Sequence, residues 1–202
     1  MKLTLNTSDE LYNASPCKRR LSGTRQLEPA NTERLQAICT IKKQLKKMNA
    51  KSYMETAIKM AKENIEQGGG PFAAVIVKDG KIVGRGVNRV TANNDPTAHA
   101  EVQAIRDACR NLNTFILEGC TIYSSCEPCP MCLGAIYWAH LDALCYGAGR
   151  EDAAEAGFDD SFIYKEIELP YSQRRVLTSI TLEKEACTIF DLWKQKTDKT
   201  EY

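Results

Sequence analysis

The sequence predicts an α/β protein, a three-layer α/β/α sandwich around a mixed sheet of about five strands. A short apolar segment at 72–77 is followed by a second at 81–87. Asp79-Gly80 joins them, and this pair is a strong signal for a two-residue hairpin turn. Beyond the hairpin, segments of helical period alternate with short apolar segments, which is typical of strands that are covered by helices.

Helices are predicted on both sides of the hairpin. The first covers about Tyr53–Glu66, where apolar residues cluster before three glycines end the helix. The second follows a polar loop, with Asp95 as its cap and Pro96 as its first residue. We expect its apolar stripe to run through Ala98, Val102, Ile105 and Cys109.

The remaining elements alternate toward the C-terminus. We expect strands at Cys120–Ser125, Ala143–Gly147 and Val176–Leu182. We expect helices at Pro128–Ala139 and Thr188–Lys196.

Composition and charge indicate one catalytic domain with an extension. A chain of 202 residues suits one domain, and a net charge of +1 favours neither a cationic nor an anionic partner. No apolar run approaches the ~20 residues of a membrane span, and the N-terminus has no secretion signal pattern. Nine cysteines, an odd number, favour reduced thiols with a metal-binding subset over a disulfide framework. We therefore expect a cytoplasmic protein.

The domain boundary is predicted near residue 50. Residues 1–50 are polar and basic, and we expect partial disorder with one helix at about Thr32–Met48. Residues 51–202 are expected to form the catalytic domain.

Cys129 and Cys132 are the first candidate metal ligands. They lie three residues apart at the start of a predicted helix, so both sulfurs can reach one ion. The helix N-terminus also favours thiolate over thiol. Zinc takes three or four ligands, so a further ligand must come from elsewhere in the chain.

The chain offers two histidines for that further ligand. His99 lies at the start of the other predicted helix, whereas His140 follows the end of the helix that carries the cysteines. At ~1.5 Å per residue, His140 is ~12 Å from Cys132 along the helix axis. His99 is therefore the better ligand, and we expect His140 to be a surface or C-capping residue.

Glu101 lies two residues after His99 and can meet the same ion only near the helix N-terminus. A carboxylate beside a metal-activated water can take its proton and pass it to a leaving amine. His-x-Glu followed by Pro-Cys-x-x-Cys is the signature of zinc deaminases, and His99-Ala100-Glu101 with Pro128–Cys132 matches it.

Three alternatives remain open on these residues. Cys126, Cys129 and Cys132 form a run that could bind an iron–sulfur cluster, although a fourth nearby cysteine is missing. The same cysteines with His99 could form a closed structural zinc site that catalyses nothing. In the third alternative, Glu101 only complements the helix dipole, which leaves the cysteines unexplained.

From about residue 53 onward the sequence resembles bacterial-type guanine deaminases of the cytidine-deaminase-like superfamily. The resemblance rests on GGPFAAVIVKDG, NDPTAHAEVQAIRDAC, SCEPCPMCLGAIYWA and DAAEAGFDDSFIYKEI, the last being particular to guanine deaminases. Residues 1–50 have no counterpart in that pattern, and 140–144 lacks the basic, proline-containing turn expected there.

The resemblance implies hydrolysis of guanine to xanthine and ammonia, with one zinc ion per chain. It implies that His99, Cys129 and Cys132 hold the zinc and that Glu101 carries the proton. It further implies a homodimer in which the C-terminal segment can be exchanged between subunits. The residues that it places around the base are Phe72, Asn88, Ala100, Trp138, Asp160 and Tyr202.

Other functions compete with guanine deamination on the sequence alone. They are guanosine deamination, deamination of adenosine in tRNA or of cytosine, and a structural-zinc module without turnover. Residues 51–202 are net acidic, which disfavours RNA as a partner. A module without turnover would not need Glu101, and no membrane partner is expected.

Overall fold

The structure is a computed structural model that describes residues 49–201. The predicted extension helix and Tyr202 lie outside the described residues. Along the described chain the elements are α1 (49–66), β1 (Ala73–Lys78), β2 (Lys81–Val87), α2 (Val90–Asn93), α3 (Ala100–Leu112), β3 (Cys120–Cys126), α4 (Pro130–Trp138), β4 (Ala143–Ala148), α5 (Arg150–Glu155), α6 (Ser161–Glu168), a 3-10 turn (Tyr171–Gln173) and α7 (Glu183–Gln195).

The strands form one mixed sheet in the order β2-β1-β3-β4. β1 is antiparallel to β2 and β3, whereas β3 and β4 are parallel. Asp79 and Gly80 both have positive φ, 50° and 77°, which is the backbone of a type I′ turn and confirms the predicted hairpin. None of the helices in residues 49–201 is both long and apolar enough to cross a membrane.

Helices cover both faces of the sheet and complete the predicted three layers. Because side chains alternate along a strand, Ala74 and Ile76 face one side and Val75 and Val77 the other. The first pair belongs to a core with α3 and α4, and the second packs against α1. The α/β/α class is therefore confirmed.

Small residues allow α3 to lie unusually close to β2. A Cβ on Gly86 would overlap the carbonyl oxygen of Ala100, and one on Gly84 would lie 2.5 Å from that of Ala104. The facing side of the helix carries Ala100, Ala104 and Ala108, all fully buried. This contact fixes the position of the first turn of α3.

The predicted start of α3 was wrong. The helix begins at Ala100, four residues after Pro96, with His99 as its N-cap. Asp95 instead accepts hydrogen bonds from the Thr97 backbone N–H (2.8 Å) and hydroxyl (2.7 Å). This local turn competes with helix formation.

The buried stripe of α3 also differs from the expected one. The buried side is formed by the alanines that contact β2 and by Glu101, whereas Ile105 and Cys109 are only partly buried. The close contact with the strand selects the smallest side chains over the larger apolar ones.

Two further helix starts and one predicted strand differ. α4 begins at Pro130 and α7 at Glu183. The strand predicted at Val176–Leu182 was wrong, since the described sheet has four strands and this segment is irregular. Leu177 is 96% exposed. Alternating apolar residues form a strand only where a neighbouring strand pairs with them, and none in the described residues does.

The close contact between β2 and α3 predicts a specific loss of stability. Gly86→Ala should lower the free energy of unfolding by about 1–3 kcal/mol, because the new methyl group must push the helix away. Gly134→Ala is the matched control, because no atom lies within 4 Å of its added Cβ. In the helix interior that change should be neutral or stabilise by about 0.5–1 kcal/mol. Urea unfolding measures both, and equal stabilities would contradict the packing described.

Candidate active site

Three side chains of types that ligate metals meet at the starts of two helices and form a candidate metal-ligand group. His99 is the N-cap of α3 and Cys129 the N-cap of α4, both with extended backbone, and Cys132 lies in the first turn of α4. The Nδ1 atom of His99 is 3.5 Å from the Sγ atoms of both cysteines. All three ligand atoms lie within 4.8 Å of one another.

The spacing of these atoms fits zinc. With Zn–S of ~2.3 Å, Zn–N of ~2.0–2.1 Å and a tetrahedral angle, nitrogen and sulfur should lie ~3.5 Å apart. The measured 3.5 Å agrees with this value. Two sulfurs and an imidazole are also ligand types that zinc prefers, and three protein ligands are typical of catalytic sites.

Hydrogen bonding within the group favours one thiolate. The hydrogen bond that Cys129 accepts from the Cys132 thiol, together with the one from His99, lowers the pKa of Cys129 to about 4. The same bond raises the pKa of Cys132, which keeps its proton beside the thiolate. The hydrogen bond with Cys129 raises the pKa of His99. A divalent cation at this point would displace these protons and stabilise both sulfurs as thiolates.

Glu101 is a buried carboxyl group beside the metal-ligand group. It is the second residue of α3 and is 5% exposed, and its Oε1 accepts a hydrogen bond from the Ser124 hydroxyl at 3.0 Å. Burial raises the pKa of Glu101, with smaller opposing effects from its hydrogen bonds. A carboxyl group with a raised pKa is suited to accept and return a proton near neutral pH.

A cavity of about 490 Å³ opens onto these groups. Such a volume is ordinary for a small-molecule site. The predicted residues among its lining are His99, Glu101, Cys129, Phe72, Asn88, Ala100 and Asp160. Cys132 is fully buried in the ligand group behind them.

Two predicted substrate contacts are not placed at the cavity. Trp138 is the last residue of α4, is 68% exposed and does not line the cavity. Tyr202 lies outside the described residues. The roles of both residues in substrate binding stay predictions.

Sequence reasoning missed an aromatic wall of the cavity. The ring of Phe158 packs edge-on against Phe72, with ring centroids 4.9 Å apart and an angle of 86°. Phe158 directly precedes Asp159 and Asp160 in the segment DAAEAGFDDSFIYKEI, and the resemblance noted for this segment is the signal that could have identified it.

The segment α5–α6 is held against the start of α4. The Arg150 guanidinium lies 5.3 Å from the centre of the Tyr164 ring, and the Tyr164 hydroxyl donates to the Pro128 carbonyl at 3.4 Å. The Arg150 backbone N–H donates to Glu127 at 3.3 Å. These contacts hold Asp160, the N-cap of α6, at the cavity.

Carboxylates outnumber cations around the cavity. Arg150 is the one cationic side chain besides the metal-ligand histidine in the described lining. Burial, and then the negative charge of Cys129, raise the pKa of Asp160. The carboxylates of the lining are those of Glu101, Glu127, Asp159 and Asp160.

Cys126 does not belong to the metal-ligand group. Its Sγ lies 3.7 Å from the Gly149 carbonyl, to which the thiol donates. Burial raises the pKa of Cys126 to about 11, so it stays protonated. The ligand group of the described residues therefore has three members, which favours a catalytic zinc site over a closed one.

His140 ends α4, as predicted. It has a positive φ of 55°, and its N–H donates to the Tyr137 carbonyl at 3.0 Å. The N–H of Leu141 donates to the Ile136 carbonyl at 3.3 Å, which completes a Schellman motif.

Together, the sandwich and its site define a zinc-type deaminase. Residues 47–148 match the family described as the cytidine and deoxycytidylate deaminase zinc-binding region. The chain belongs to this family.

Guanine deaminase from Bacillus subtilis is 54% identical over 157 residues, which are 77% of this chain and 100% of that protein. Its X-ray structure matches with a TM-score of 0.74 at 52% identity, over 75% of this chain and 98% of that one. A tRNA-specific adenosine deaminase from Aquifex aeolicus is 42% identical over 101 residues, 50% of this chain and 67% of that protein. The similarity to guanine deaminase is therefore longer than the shared zinc-binding region.

The geometry predicts that two neighbouring cysteines differ in their effect on zinc. Cys129→Ser should lose most of the zinc, because it removes one of three ligands. Cys126→Ser should keep near one zinc per chain, since its sulfur contacts Gly149 instead. Elemental analysis after gel filtration measures both. Zinc loss from Cys126→Ser would favour the closed structural site.

Proposed function

We propose that this protein hydrolyses guanine to xanthine and ammonia, with one zinc ion held by His99, Cys129 and Cys132. The observation that carries the proposal is the buried Glu101 carboxyl group at the cavity wall beside the three-ligand group. Similarity to guanine deaminase over the full length of that relative supports the choice of substrate. The metabolic role of this reaction is the breakdown of purines. We place the protein in the cytoplasm, because thiolate ligands stay reduced there.

Zinc, when bound, lowers the pKa of water toward ~7 and so supplies the nucleophile at neutral pH. Glu101 takes a proton from the attacking water and gives it to the ring nitrogen beside the carbon under attack. It then takes the remaining proton of that water from the added hydroxyl group and gives it to the amine. The new C–O bond forms at the ring carbon that carries the amine, the C–N bond breaks, and ammonia leaves. The Ser124 hydroxyl holds the Glu101 carboxyl group in place at 3.0 Å.

The other walls hold the planar base. Phe72 and Phe158 supply apolar ring surfaces, and Asp160 accepts hydrogen bonds from the N–H groups of guanine. Carboxylates around the cavity disfavour a phosphate, and so favour a free base over a nucleotide or RNA.

Glu101→Gln tests the proton transfer. The variant should keep its zinc, because Glu101 is not a ligand, and lose about 10²–10⁴-fold in turnover. Glu127→Gln is the matched control and should lose much less turnover, because its side chain also lines the cavity and its amide oxygen can still accept the Arg150 N–H. Ammonia release and elemental analysis measure the effects. Near wild-type turnover in Glu101→Gln would remove it from the mechanism.

The substrate is tested by ammonia release from guanine, guanosine, cytosine, adenine and a tRNA anticodon stem. We expect guanine to have the highest kcat/KM. A higher kcat/KM for guanosine would make guanosine the substrate, without changing the proposed mechanism. No release from any of them would favour a structural-zinc module.

We further propose a homodimer in which the C-terminal segments are exchanged and Tyr202 closes the partner's cavity. Exposed apolar residues in this segment support it. Ile189, Phe190 and Leu192 of α7 are 65%, 66% and 67% exposed, and Leu177 is 96% exposed. Apolar patches of this kind mark protein interfaces.

Deletion of Tyr202 should lower kcat/KM for guanine by about 10–1,000-fold, because a positioning contact is lost. Zinc content and circular dichroism should be unchanged. Light scattering of the wild type should give the mass of a dimer. Unchanged kinetics would remove Tyr202 from the site, and an active monomer would contradict the exchange.

The extension is proposed to be dispensable for catalysis. The family match begins at residue 47, and every proposed site residue follows residue 70. A protein that starts near Ala50 should therefore deaminate guanine with a kcat/KM close to that of the full chain. A large loss of turnover in a folded truncation would place part of the extension in the active domain.

A further inference from the structure

Asn64 joins two segments that line the cavity. It lies near the end of α1 and is 2% exposed. Its Nδ2 donates to the carbonyl of Gly70 at 2.8 Å and to the carbonyl of Asn88 at 3.0 Å. The Asn64 carbonyl also accepts the N–H of Gly69 at 2.8 Å. One residue thus holds the glycine loop after α1 and the residue that follows β2.

The orientation of the Asn64 amide is fixed by these carbonyls. Its Oδ1 is buried and has no hydrogen-bond partner among the described residues. A flipped amide would place Oδ1 against two carbonyl oxygens and lose both bonds. The structure thus keeps an unpaired buried acceptor, which is uncommon in proteins, in order to hold the two carbonyls.

The glycine loop fits closely around two asparagine side chains. A Cβ on Gly69 would lie 2.6 Å from the Asn64 Cγ, and one on Gly70 would lie 3.0 Å from the Asn88 Cγ. Neither glycine has a positive φ. Lack of space, and not backbone conformation, therefore disfavours a side chain at Gly69, whereas at Gly70 a Cβ would require Asn88 to shift by a few tenths of an ångström.

The contacts with Asn64 and Gly70 fix the position of Asn88. It is 9% exposed and lines the cavity. Its Oδ1 accepts the Val90 N–H at 3.2 Å. Within the described part of the chain its Nδ2 has no partner, so this donor is available to a base in the cavity.

We propose that Asn64 is a positioning residue for guanine binding, which acts by fixing Asn88 at the cavity wall, with Gly69 leaving the space that its amide requires. This inference rests on the proposed function. Asn64 itself does not line the cavity, so its effect on substrate passes through Asn88.

The first test compares two asparagines that each donate to a backbone carbonyl. Asn64→Ala should raise KM for guanine about tenfold and change kcat less than threefold, because Asn88 shifts while the zinc ligands on α3 and α4 do not. Asn111→Ala removes a similar bond, from Nδ2 to the Val83 carbonyl at 2.9 Å, away from the cavity. That control should leave KM unchanged. Both variants should retain zinc.

The second test uses the space around Gly69. Gly69→Ala should raise KM by a similar factor, because its methyl group displaces the Asn64 amide. In an Asn64→Ala background the same change should add less than twofold, since the group that it displaces is gone. In an Asn88→Ala background, Asn64→Ala should likewise raise KM little further, because the side chain that Asn64 positions is gone.

Outcomes separate the two levels of the proposal. The positioning role would be overturned if the KM of either double variant rose by the product of its two single effects. An unchanged KM in folded Asn64→Ala would also overturn it. Either result would leave the proposed function intact, provided that the wild type deaminates guanine. If Asn64→Ala does not fold, an unchanged KM in Gly69→Ala would overturn it. A wild-type protein that releases no ammonia from guanine would overturn the proposed function first, and this inference with it.

Discussion

The structure depends on two helix starts meeting at one point. His99 and the two cysteines belong to different helices, yet their ligand atoms lie 3.5 Å apart. A shift of either helix by ~1 Å would disrupt a zinc site, because metal–ligand distances tolerate only ~0.2 Å. The close packing of α3 on Gly84 and Gly86 and the docking of α5–α6 on the start of α4 both serve this constraint.

The position of the caps explains how one short motif can carry two roles. As the N-cap, His99 has extended backbone and lies beyond the helical part of α3, whereas Glu101 is already helical and buried beneath it. The two side chains therefore reach the same cavity from different directions, although they would diverge by ~200° on a regular helix. In the proposed mechanism, the cap residue His99 holds the metal, and Glu101 in the first helical turn accepts the proton.

The sequence predicted the sandwich, the hairpin and the meeting of His99, Cys129 and Cys132, because these depend on local period and on ligand chemistry. It placed the start of α3 too early, because Asp95 and Thr97 form a local turn that competes with the helix, and because the contact of α3 with Gly86 depends on packing. Phe158 was missed because an aromatic residue in a loop carries no periodic signal. The prediction of a strand at 176–182 failed because pairing requires a neighbour that sequence period does not reveal.

The carboxylates that line the cavity also affect release of the product. Xanthine carries one more carbonyl than guanine, and the added carbonyl makes the ring N–H groups more acidic. Glu127, Asp159 and Asp160 would repel the resulting anion at a site that accepts the neutral base. Release of xanthine would thus become easier as the pH rises. Inhibition by added xanthine would become weaker over the same range of pH.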